Sequence, residues 1–447
     1  MSGMRRFQSW GRVQRTWHGT LGLTHRHQTL PLPAAADMSV LPFGNGRSYG
    51  DSNLNPGGML LLGRQLDRFI AFDPASGVLR CEAGVLLSEV LALTVPQGWF
   101  LPVTPGTQFV TVGGAIANDV HGKNHHVTGA FGNHVRCLEL LRSDGARRVC
   151  SPDQHADWFA ATIGGLGLTG LITWAEIQLR RVFNPYMDTE SIRFGNLEAF
   201  FELSRASEQE HEYTVAWIDC ASSGARLGRG LFSRANHAPA ILDEGDLARL
   251  SRDASKGAWR IPVTPPISLI NRLSLKAFNE LYFHKQRRDS ARMLSHYRPF
   301  FYPLDAVLDW NRIYGPRGFY QYQSVVPHAH ALEATTQMLR AIAKSGTGSF
   351  LAVLKQFGSP ASRGMLSFPR PGVTLALDFP NQGAGLMKLF DSLDRIVLEA
   401  GGCLYPAKDG RIGATLFKAG YPQWQAFQSF VDPRFSSAFW RRVMENT

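Results

Sequence analysis

The chain has few cysteines, and their arrangement excludes two common kinds of site. The five cysteines are scattered, their number is odd and no C-x-x-C pair occurs, which excludes a disulfide framework and a cysteine-based zinc site. No uninterrupted apolar run reaches the length of about 18 residues that a membrane-spanning helix needs. The basic, aromatic start of the chain lacks the apolar stretch of a secretory signal. These absences predict a cytoplasmic protein in a reducing compartment.

The charge of the chain is strongly positive, yet its pattern does not suit nucleic acid. The formal net charge is +11, and the lysines and arginines are spread along the sequence without an RNA- or DNA-binding motif. We therefore predict no nucleic-acid partner, whereas an anionic membrane surface or a phosphorylated substrate fits the charge. A length of 447 residues with 44% hydrophobic residues is enough for two domain cores.

The two halves of the chain differ in pattern, which indicates two domains of the α+β type. Up to about residue 180 the sequence is rich in glycine and in short β-type runs such as 59–62 and 78–82. Beyond it, longer amphipathic stretches at 331–344 and 385–400 alternate with strand-like runs. That alternation predicts an antiparallel sheet with helices packed on it.

One glycine motif matches the sequence pattern of a dinucleotide-binding turn but lacks its structural context. Gly165, Gly167 and Gly170 match G-x-G-x-x-G, but a Rossmann turn needs a helix to begin at the glycines. Residues 171–179 follow instead, with the β-branched, alternating pattern of a strand. We predict that these glycines let the backbone approach a ligand or another strand closely.

Two further clusters of small residues cover 42–51 and 104–119. Taken alone, the first cluster is either a solvent loop or a nest of backbone N–H groups around an anion. Two such loops together suit a ligand with a pyrophosphate and a large planar ring. The N–H groups would bind the pyrophosphate oxygens, and the small residues would let the backbone lie against the ring.

Four histidines follow the second cluster and raise the question of a metal site. A spacing of four residues could place His121 and His125 on one helix face. Gly122 follows His121 directly, and no cysteine accompanies His126 or His134, which is poor context for coordination. We predict no metal, and the simpler interpretation is loop histidines that bond to the backbone.

These blocks together resemble the FAD-linked oxidases of the vanillyl-alcohol-oxidase type. The resemblance rests on residues 44–51, 111–116 and 121–126, and it continues through later blocks as far as 431–433. It therefore covers nearly the whole chain. The first two blocks occur broadly among sugar and lactone oxidases, whereas the block 121–126 and the later blocks occur in fewer members of this group.

The resemblance implies a fold, a cofactor and the residues that bind it. Residues 1–180 would form a PCMH-type FAD-binding domain, 181–400 a substrate domain with an antiparallel sheet covered by helices, and 401–447 a segment that returns to the flavin site. The residues expected to bind FAD are Pro42, Phe43, Gly44, Asn45, Gly46, Arg47, Ser48, Tyr49, Gly50, Asp51, Ser52, Gly106, Thr111, Val112, Gly113, Gly114, Asn118, Asp119, Val120, His121, Ile172 and Tyr405.

Arg47 departs from the pattern of many relatives, which carry at this place the histidine that links FAD covalently. A guanidinium stays protonated and cannot act as the nucleophile toward the flavin. The sequence therefore predicts non-covalent FAD, with Arg47 binding phosphate.

Lys408 is the predicted catalytic base. Oxidation of an alcohol by a flavin needs a hydride acceptor, which the ring supplies, and a base for the hydroxyl proton. The resemblance places Lys408 near the reacting hydroxyl, and a buried lysine with a lowered pKa can take that proton. The alternative is a surface lysine paired with Asp409. Substrate contacts are expected from residues that could equally be structural: Lys123, Asn311, Tyr314, Gln321, Gln323 and Lys355.

The segment 249–292 mixes basic residues with bulky apolar ones. Such a mixture suits reversible contact with an anionic membrane. The alternative is a long insertion packed on its own domain.

Three functions are compatible with the sequence. The first, implied by the resemblance, is oxidation of the 2-hydroxyl of a polyprenyl-phospho-β-D-ribose to a ketone, as the first half of epimerisation to the arabinose form. A separate nicotinamide-dependent reductase would complete that inversion. The second is oxidation of a soluble sugar, alditol or aldonolactone. The third is a binding protein with vestigial flavin loops, which would not take up FAD.

Overall fold

The chain alternates short strands with helices, and the computed structural model describes residues 4–240 and 259–444. The strands are β1 (Arg5–Gln8), β2 (Arg15–Gly22), β3 (Val40–Phe43), β4 (Met59–Leu62), β5 (Phe69–Asp73), β6 (Val78–Glu82), β7 (Trp99–Phe100), β8 (Val135–Leu141), β9 (Arg147–Cys150), β10 (Leu171–Gln178), β11 (Arg180–Arg181), β12 (Tyr186–Phe194), β13 (Tyr213–Ile218), β14 (Gly230–His237), β15 (Trp259–Arg260), β16 (Ser290–His296), β17 (Val307–Leu308), β18 (Phe319–Val326), β19 (Ala352–Phe357), β20 (Gly372–Pro380) and β21 (Cys403–Leu404).

The α-helices are mostly short in the first half of the chain and longer in the second. They are α1 (Leu87–Thr94), α2 (Val112–Ala117), α3 (His125–Thr128), α4 (Ala156–Thr162), α5 (Leu197–Ser207), α6 (Arg272–Lys285), α7 (Tyr297–Phe301), α8 (Ala331–Ser345), α9 (Ala384–Glu399), α10 (Ala414–Gly420), α11 (Trp424–Gln428) and α12 (Ala438–Met444).

The largest sheet has eight antiparallel strands in the order β16-β12-β14-β13-β19-β20-β18-β21. Helices α5, α8 and α9 pack on it. The buried residues of α8 and α9 recur every three or four positions, as expected of amphipathic helices with one face on a core. In the sheet, every second residue of β20 is buried against these helices. Val373, Leu375, Leu377 and Phe379 belong to the same apolar cluster as the helix residues. The predicted antiparallel sheet covered by helices is confirmed.

The first part of the chain forms two smaller sheets. One has five antiparallel strands in the order β5-β6-β10-β8-β9, and the other has the order β1-β2-β4-β3, with β2, β4 and β3 parallel. A strand follows the G-x-G-x-x-G residues, as predicted. A Cβ added to Gly165 would lie 2.2 Å from the carbonyl oxygen of Ala161, and one added to Gly170 would lie 2.8 Å from that of Leu141. The glycines therefore serve close backbone packing.

The C-terminal segment packs back onto the first part of the chain. The Val40 amide donates to the Arg434 carbonyl at 2.7 Å, which ties β3 to this segment. Arg442 pairs with the buried Asp51 at 2.6 Å. The domain limits near 180 and 400 stay a prediction. In the part of the chain that the structure describes, no helix has the length and apolar character needed to cross a membrane.

Candidate active site

A cavity of about 1040 Å³ is bounded by the glycine-rich loops and by the face of the eight-stranded sheet that the helices leave free. Its wall on the sheet side follows the two-residue period of a strand. On β20 the lining residues are Thr374, Ala376 and Asp378, and on β18 they are Gln321 and Gln323. The alternate residues of β20 point into the helix-covered core. The sheet thus separates its structural face from the face available to a ligand.

Most residues predicted to bind the cofactor line this cavity. Both glycine loops contribute, together with one residue of β10 and one of the C-terminal segment. The predicted cofactor residues at the cavity are Pro42, Phe43, Gly44, Asn45, Gly46, Arg47, Ser48, Tyr49, Ser52, Gly106, Thr111, Gly113, Gly114, Asn118, Val120, His121, Ile172 and Tyr405.

The two loops are joined by hydrogen bonds, and they approach each other closely because glycine has no side chain. The Asn45 side-chain amide donates to the Phe109 carbonyl at 2.7 Å. A Cβ on Gly44 would lie 2.5 Å from the Thr111 hydroxyl oxygen, so only glycine admits this approach. The same hydroxyl accepts from the Gly114 amide at 3.1 Å and begins α2. The loops therefore form one wall rather than two separate turns.

Lys408 enters the cavity beside the first loop. The Tyr49 amide donates to the Ala407 carbonyl at 2.9 Å, and the Lys408 Nζ lies 3.8 Å from the centroid of the Tyr49 ring. Burial lowers the pKa of Lys408, and the negative charge of Asp378 opposes that fall. A lowered pKa is what a lysine needs to act as a base near neutral pH.

The alternative pairing of Lys408 with Asp409 is not what the structure contains. The Asp409 carboxylate accepts from the backbone amides of Arg411 and Ile412 at 2.9 to 3.2 Å. It also contacts Arg442 at 3.3 Å. Asp409 therefore anchors the turn after Lys408, and Lys408 itself lines the cavity.

His121 stands at the centre of a polar cluster on the cavity wall. Its Nε2 lies 2.9 Å from the side-chain nitrogen of Gln323, and its Nδ1 lies 3.1 Å from the Nζ of Lys355. Burial, followed by the charge of Lys355, lowers the pKa of His121 well below its ordinary value. Burial likewise lowers the pKa of both Lys355 and Lys123 to about 7. Lys123 donates to the Phe300 carbonyl.

The other histidines of this region do not gather around a common point. His126 contacts the His211 carbonyl at 3.0 Å and His134 the Thr128 carbonyl at 2.9 Å, which confirms the predicted backbone bonding. His125 is buried against Phe357. Among the described residues, no group of three or more His, Cys, Asp or Glu side chains has an arrangement that could hold a metal ion.

Six predicted site residues lie away from the cavity lining: Gly50, Asp51, Val112, Asp119, Asn311 and Tyr314. Asp51 pairs with Arg442, and Val112 belongs to the core of the first part. Asp119 accepts from Gly132 and Ser367. The Asn311 amide donates to the Trp10 carbonyl at 2.9 Å, and the Tyr314 ring stacks on Phe319. Their side chains bind the protein, so the structure does not support direct sugar contacts from Asn311 and Tyr314.

Sequence reasoning missed Asp378 as a site residue. This carboxylate is 1% exposed and lines the cavity. The Gln321 side-chain nitrogen donates to it at 2.6 Å. The available signal was one acidic residue at the end of an otherwise apolar strand pattern, because a charge is buried only with partners or a function. Trp10 and Asp305 also line the cavity without having been predicted.

Comparison with known proteins agrees with this architecture. The family described as FAD binding domain matches residues 28–151. The chain is 38% identical to decaprenylphosphoryl-β-D-ribose oxidase of Mycolicibacterium smegmatis, over 98% of this chain and 97% of that protein. The chain belongs to the decaprenylphosphoryl-β-D-ribose oxidase family of FAD-linked oxidases. It is an FAD-dependent oxidoreductase.

Two further relatives of this oxidase show how the likeness is distributed. An uncharacterised protein of Streptomyces coelicolor is 35% identical over 80% of this chain and 100% of its own length. The Delta(24)-sterol reductase of Homo sapiens is 33% identical over only 24% of this chain and 21% of that protein. The likeness to the sterol reductase is therefore confined to a short part of the chain.

The cavity of the oxidase suits FAD on physical grounds. The Ser52 hydroxyl and the Asn53 side-chain amide line it, and in the described part of the chain neither has a hydrogen-bond partner, as expected of groups that await a polar ligand. The Arg47 guanidinium stacks 4.2 Å from the Trp10 ring centroid and faces the same space. When bound, FAD supplies the two-electron oxidation.

Replacing Gly50 with alanine tests the junction between the first loop and the Lys408 segment. An added Cβ would lie 1.4 Å from the Asp409 carbonyl oxygen, and neither backbone can move without breaking the loop contacts. We expect the free energy of unfolding to fall by about 1–3 kcal/mol and the FAD content to fall with it. Thermal unfolding and flavin absorbance measure the two effects. At Gly413 an added Cβ meets nothing within 4 Å, so Gly413→Ala is the control, and equal losses in both variants would contradict the prediction.

Proposed function

We propose that this oxidase converts the 2-hydroxyl of a polyprenyl-phospho-β-D-ribose to a ketone, as the first half of an epimerisation that a separate nicotinamide-dependent reductase completes. The observation that carries the proposal is the full-length similarity to decaprenylphosphoryl-β-D-ribose oxidase. Similarity confined to the FAD-binding part would have left the substrate open. Here it extends over the eight-stranded sheet that forms the opposite wall of the cavity.

The charge of the cavity supports a phosphorylated substrate. Its basic lining residues outnumber its acidic ones, and they are Arg47, Lys123, Arg260, Lys285, Lys355 and Lys408. The acidic residues are Asp305, Asp309 and Asp378. All three carboxylates already have partners, since Asp305 accepts from the Gln108 amide at 2.9 Å, Asp309 lies 3.3 Å from Arg312, and Asp378 accepts from the Gln321 side chain at 2.6 Å. The excess positive charge favours anionic ligands.

In the proposed chemistry, Lys408 takes the proton of the reacting hydroxyl. The Lys408 amine is desolvated and adjoins the first loop through the bond between Tyr49 and Ala407, so it can be neutral when the substrate enters. FAD, when bound, would accept the hydride, that is, the hydrogen and the electron pair of the carbinol C–H bond. Gln321 and Gln323 face the same space and can bind the neighbouring sugar oxygens.

Oxidation of a soluble sugar, alditol or aldonolactone is the second candidate, because the same loops and base would serve it. Anaerobic mixing of the holoenzyme with lipid-linked pentoses and with free sugars, followed by flavin absorbance, separates the two. The proposal requires rapid bleaching by a polyprenyl-phospho-ribose and little bleaching by free pentoses. Faster bleaching by a free sugar would assign the activity to the second class.

The variant Lys408→Met tests the proposed base. Methionine keeps much of the stem volume but removes the amine, so FAD content should be unchanged while flavin reduction by substrate slows by about 10²–10⁴-fold. Stopped-flow bleaching, normalised to bound FAD, measures the rate. Lys418, which is half-buried over the Trp424 ring outside the cavity lining, provides the control Lys418→Met. A loss of less than about threefold, far below that range, would exclude Lys408 as the base.

Arg47 at the place of the linking histidine motivates a second proposal, that FAD is bound without a covalent bond. Precipitation of the holoenzyme with acid should leave the yellow colour in the supernatant, since unfolding releases a ligand held by loops alone. Colour that stays with the protein pellet would contradict the proposal.

We also propose that the oxidase binds an anionic membrane through an apolar face beside the cavity. Residues 249–258 of the predicted segment lie outside the described residues. Seven large apolar side chains between residues 259 and 293 are exposed, and we assign them to this face: Trp259, Val263, Ile267, Leu269, Leu273, Leu281 and Met293. Exposed basic residues accompany them, namely Arg260, Arg272, Lys276, Lys285, Arg287, Arg288 and Arg292.

The position of this apolar face relates it to the substrate. Arg260, Tyr282, Lys285 and Met293 belong to the same stretch of chain and also line the cavity. Leu273 and Leu281 on α6 are 81% and 75% exposed, while the opposite side of that helix is buried through Leu275, Asn279 and Phe283. Apolar side chains bordered by cations suit insertion between anionic headgroups, where a polyprenyl chain would be anchored.

Replacing Leu273 and Leu281 together with serine tests the apolar face. Because a leucine buried in an apolar environment contributes about 1.5–3 kcal/mol, we expect binding to phosphatidylglycerol vesicles to weaken at least about tenfold. Sedimentation with vesicles measures it, and neutralising Arg260, Lys276 and Arg288 should lower the dependence of binding on salt. The control replaces Leu332 and Leu398, which are also exposed but lie on α8 and α9. Unchanged binding in the double variant would refute the proposal.

A further inference from the structure

A side chamber of about 320 Å³ adjoins the active-site cavity, and the two spaces share Trp10, Gly46, Arg47 and Asp309 as lining residues. The Arg47 guanidinium stacks 4.2 Å from the Trp10 ring centroid, so this pair stands at the boundary between the two spaces. The other residues of the side chamber are Gln8, Ser9, Arg12, Thr264, Asn311 and Arg312. One ordered water needs only about 10–15 Å³, so the chamber has room for a small ligand.

The side chamber contains more positive charge than its carboxylate can match. Asp309 is the only acidic residue among its described lining residues, and Arg312 at 3.3 Å and Arg260 at 3.8 Å already share that carboxylate. Within residues 4–240 and 259–444, neither Arg12 nor Arg47 forms an ion pair with a carboxylate. Burial lowers the pKa of both guanidinium groups, as expected of desolvated cations. The chamber therefore favours an anion.

Three buried donor atoms of the side chamber have no hydrogen-bond partner in the part of the chain that the structure describes. They are the Ser9 hydroxyl and the Arg12 Nε and Nη1, and Ser9 is only 1% exposed. The remaining Arg12 nitrogen, Nη2, donates to the Thr264 hydroxyl at 3.0 Å and so holds the guanidinium in place. Buried donors are seldom left unpaired in proteins unless water or a ligand takes the bonds. A hydroxyl and a guanidinium together match the oxygens of a phosphate group.

The turn that carries these donors is fixed before any ligand binds. The Arg12 amide donates to the Ser9 carbonyl at 3.0 Å and closes the turn, while the Trp10 amide donates to the Ser48 carbonyl of the first glycine loop at 2.8 Å. Arg12 adopts a left-handed backbone with a φ of 61°, which is uncommon for a residue with a side chain. Such strain persists only where the surrounding structure enforces it, and it is concentrated at ligand sites.

We propose that the side chamber is a phosphate-binding site, in which Ser9 and Arg12 bind the phosphate oxygens and Arg47 adds positive charge from the boundary. Two sources can supply this chemistry, namely the phosphate of a lipid-linked ligand and inorganic phosphate. The first source fits the position of the chamber, because Thr264 lies in the chain between Val263 and Ile267 of the apolar face. The inference does not depend on which hydroxyl the enzyme oxidises or on Lys408.

Titration calorimetry of the FAD-loaded protein with inorganic phosphate tests the site. Ser9→Ala removes a hydroxyl that has no partner among the described residues, so the melting temperature should be unchanged. The dissociation constant for phosphate should rise at least about tenfold, the loss expected of one hydrogen bond to a charged group. Arg12→Gln should weaken binding further. The control is Arg6→Gln, because Arg6 is exposed on β1 and lines neither space; it should bind phosphate as the parent does.

Absence of phosphate binding by the FAD-loaded parent, or equal binding by the parent and both chamber variants, would overturn the inference. A loss of FAD from Ser9→Ala would assign the chamber to the cofactor and would also overturn it. Where phosphate binds as expected, competition with a polyprenyl phosphate in detergent identifies the source. Displacement of phosphate assigns the site to a lipid-linked phosphate, and a lack of displacement assigns it to inorganic phosphate. None of these measurements involves flavin reduction, so a failure of the proposed sugar oxidation would leave them unchanged.

Discussion

Gly50 lies against the carbonyl of Asp409 so closely that no side chain fits between them, and the Tyr49 amide bonds to Ala407 directly beside this contact. Residues about 360 positions apart in the chain are thereby joined backbone to backbone. The first glycine loop and the segment that carries Lys408 cannot move independently, because their contact involves no flexible side chain. The position of Lys408 relative to the first loop follows from this junction. The Arg442 pair with Asp51 and its contact with Asp409 support it from behind.

The cavity depends on keeping several amines desolvated without matching them with carboxylates. Lys123 and Lys355 have their pKa lowered to about 7 by burial, so part of each population is neutral near physiological pH. His121 shows how the wall accommodates this state. A neutral imidazole has one donor and one acceptor. Gln323 places its side-chain nitrogen at Nε2 and Lys355 places its amine at Nδ1, and the neutral ring can accept a hydrogen bond from only one of them. An anionic ligand would reverse that balance by stabilising the ammonium forms.

The sequence alone predicted much of the fold and rather less of the site. Strand β4 and strand β6 were predicted with the bounds they have, because alternation and turn residues are local signals. The rejection of a Rossmann turn at Gly165 succeeded for the same reason, since a strand follows it. Asp378 could not be found in this way. Its place in the cavity depends on the strand register that sets it opposite Gln321. The register between two distant strands cannot be read from the sequence of either strand alone. Asn311 was predicted to contact the substrate for a related reason. No local sequence signal shows that its side-chain amide donates to the distant Trp10 carbonyl.

The eight-stranded sheet explains how one element serves both stability and chemistry. Along β20, odd-numbered residues from Val373 to Phe379 pack against the helices, while Thr374, Ala376 and Asp378 face the cavity. A one-residue slip would exchange the two sets and bury the carboxylate among leucines, at a cost that the apolar cluster would not tolerate. The apolar face of the sheet therefore fixes the register, and the register in turn fixes which polar groups line the cavity together with Lys408. Substitutions on the helix side of β20 are then expected to act on the chemistry only through the register, whereas substitutions on the cavity side can alter specificity while the fold persists. The site can consequently vary among relatives that share this sheet, because its residues contribute little to the core that holds them in place.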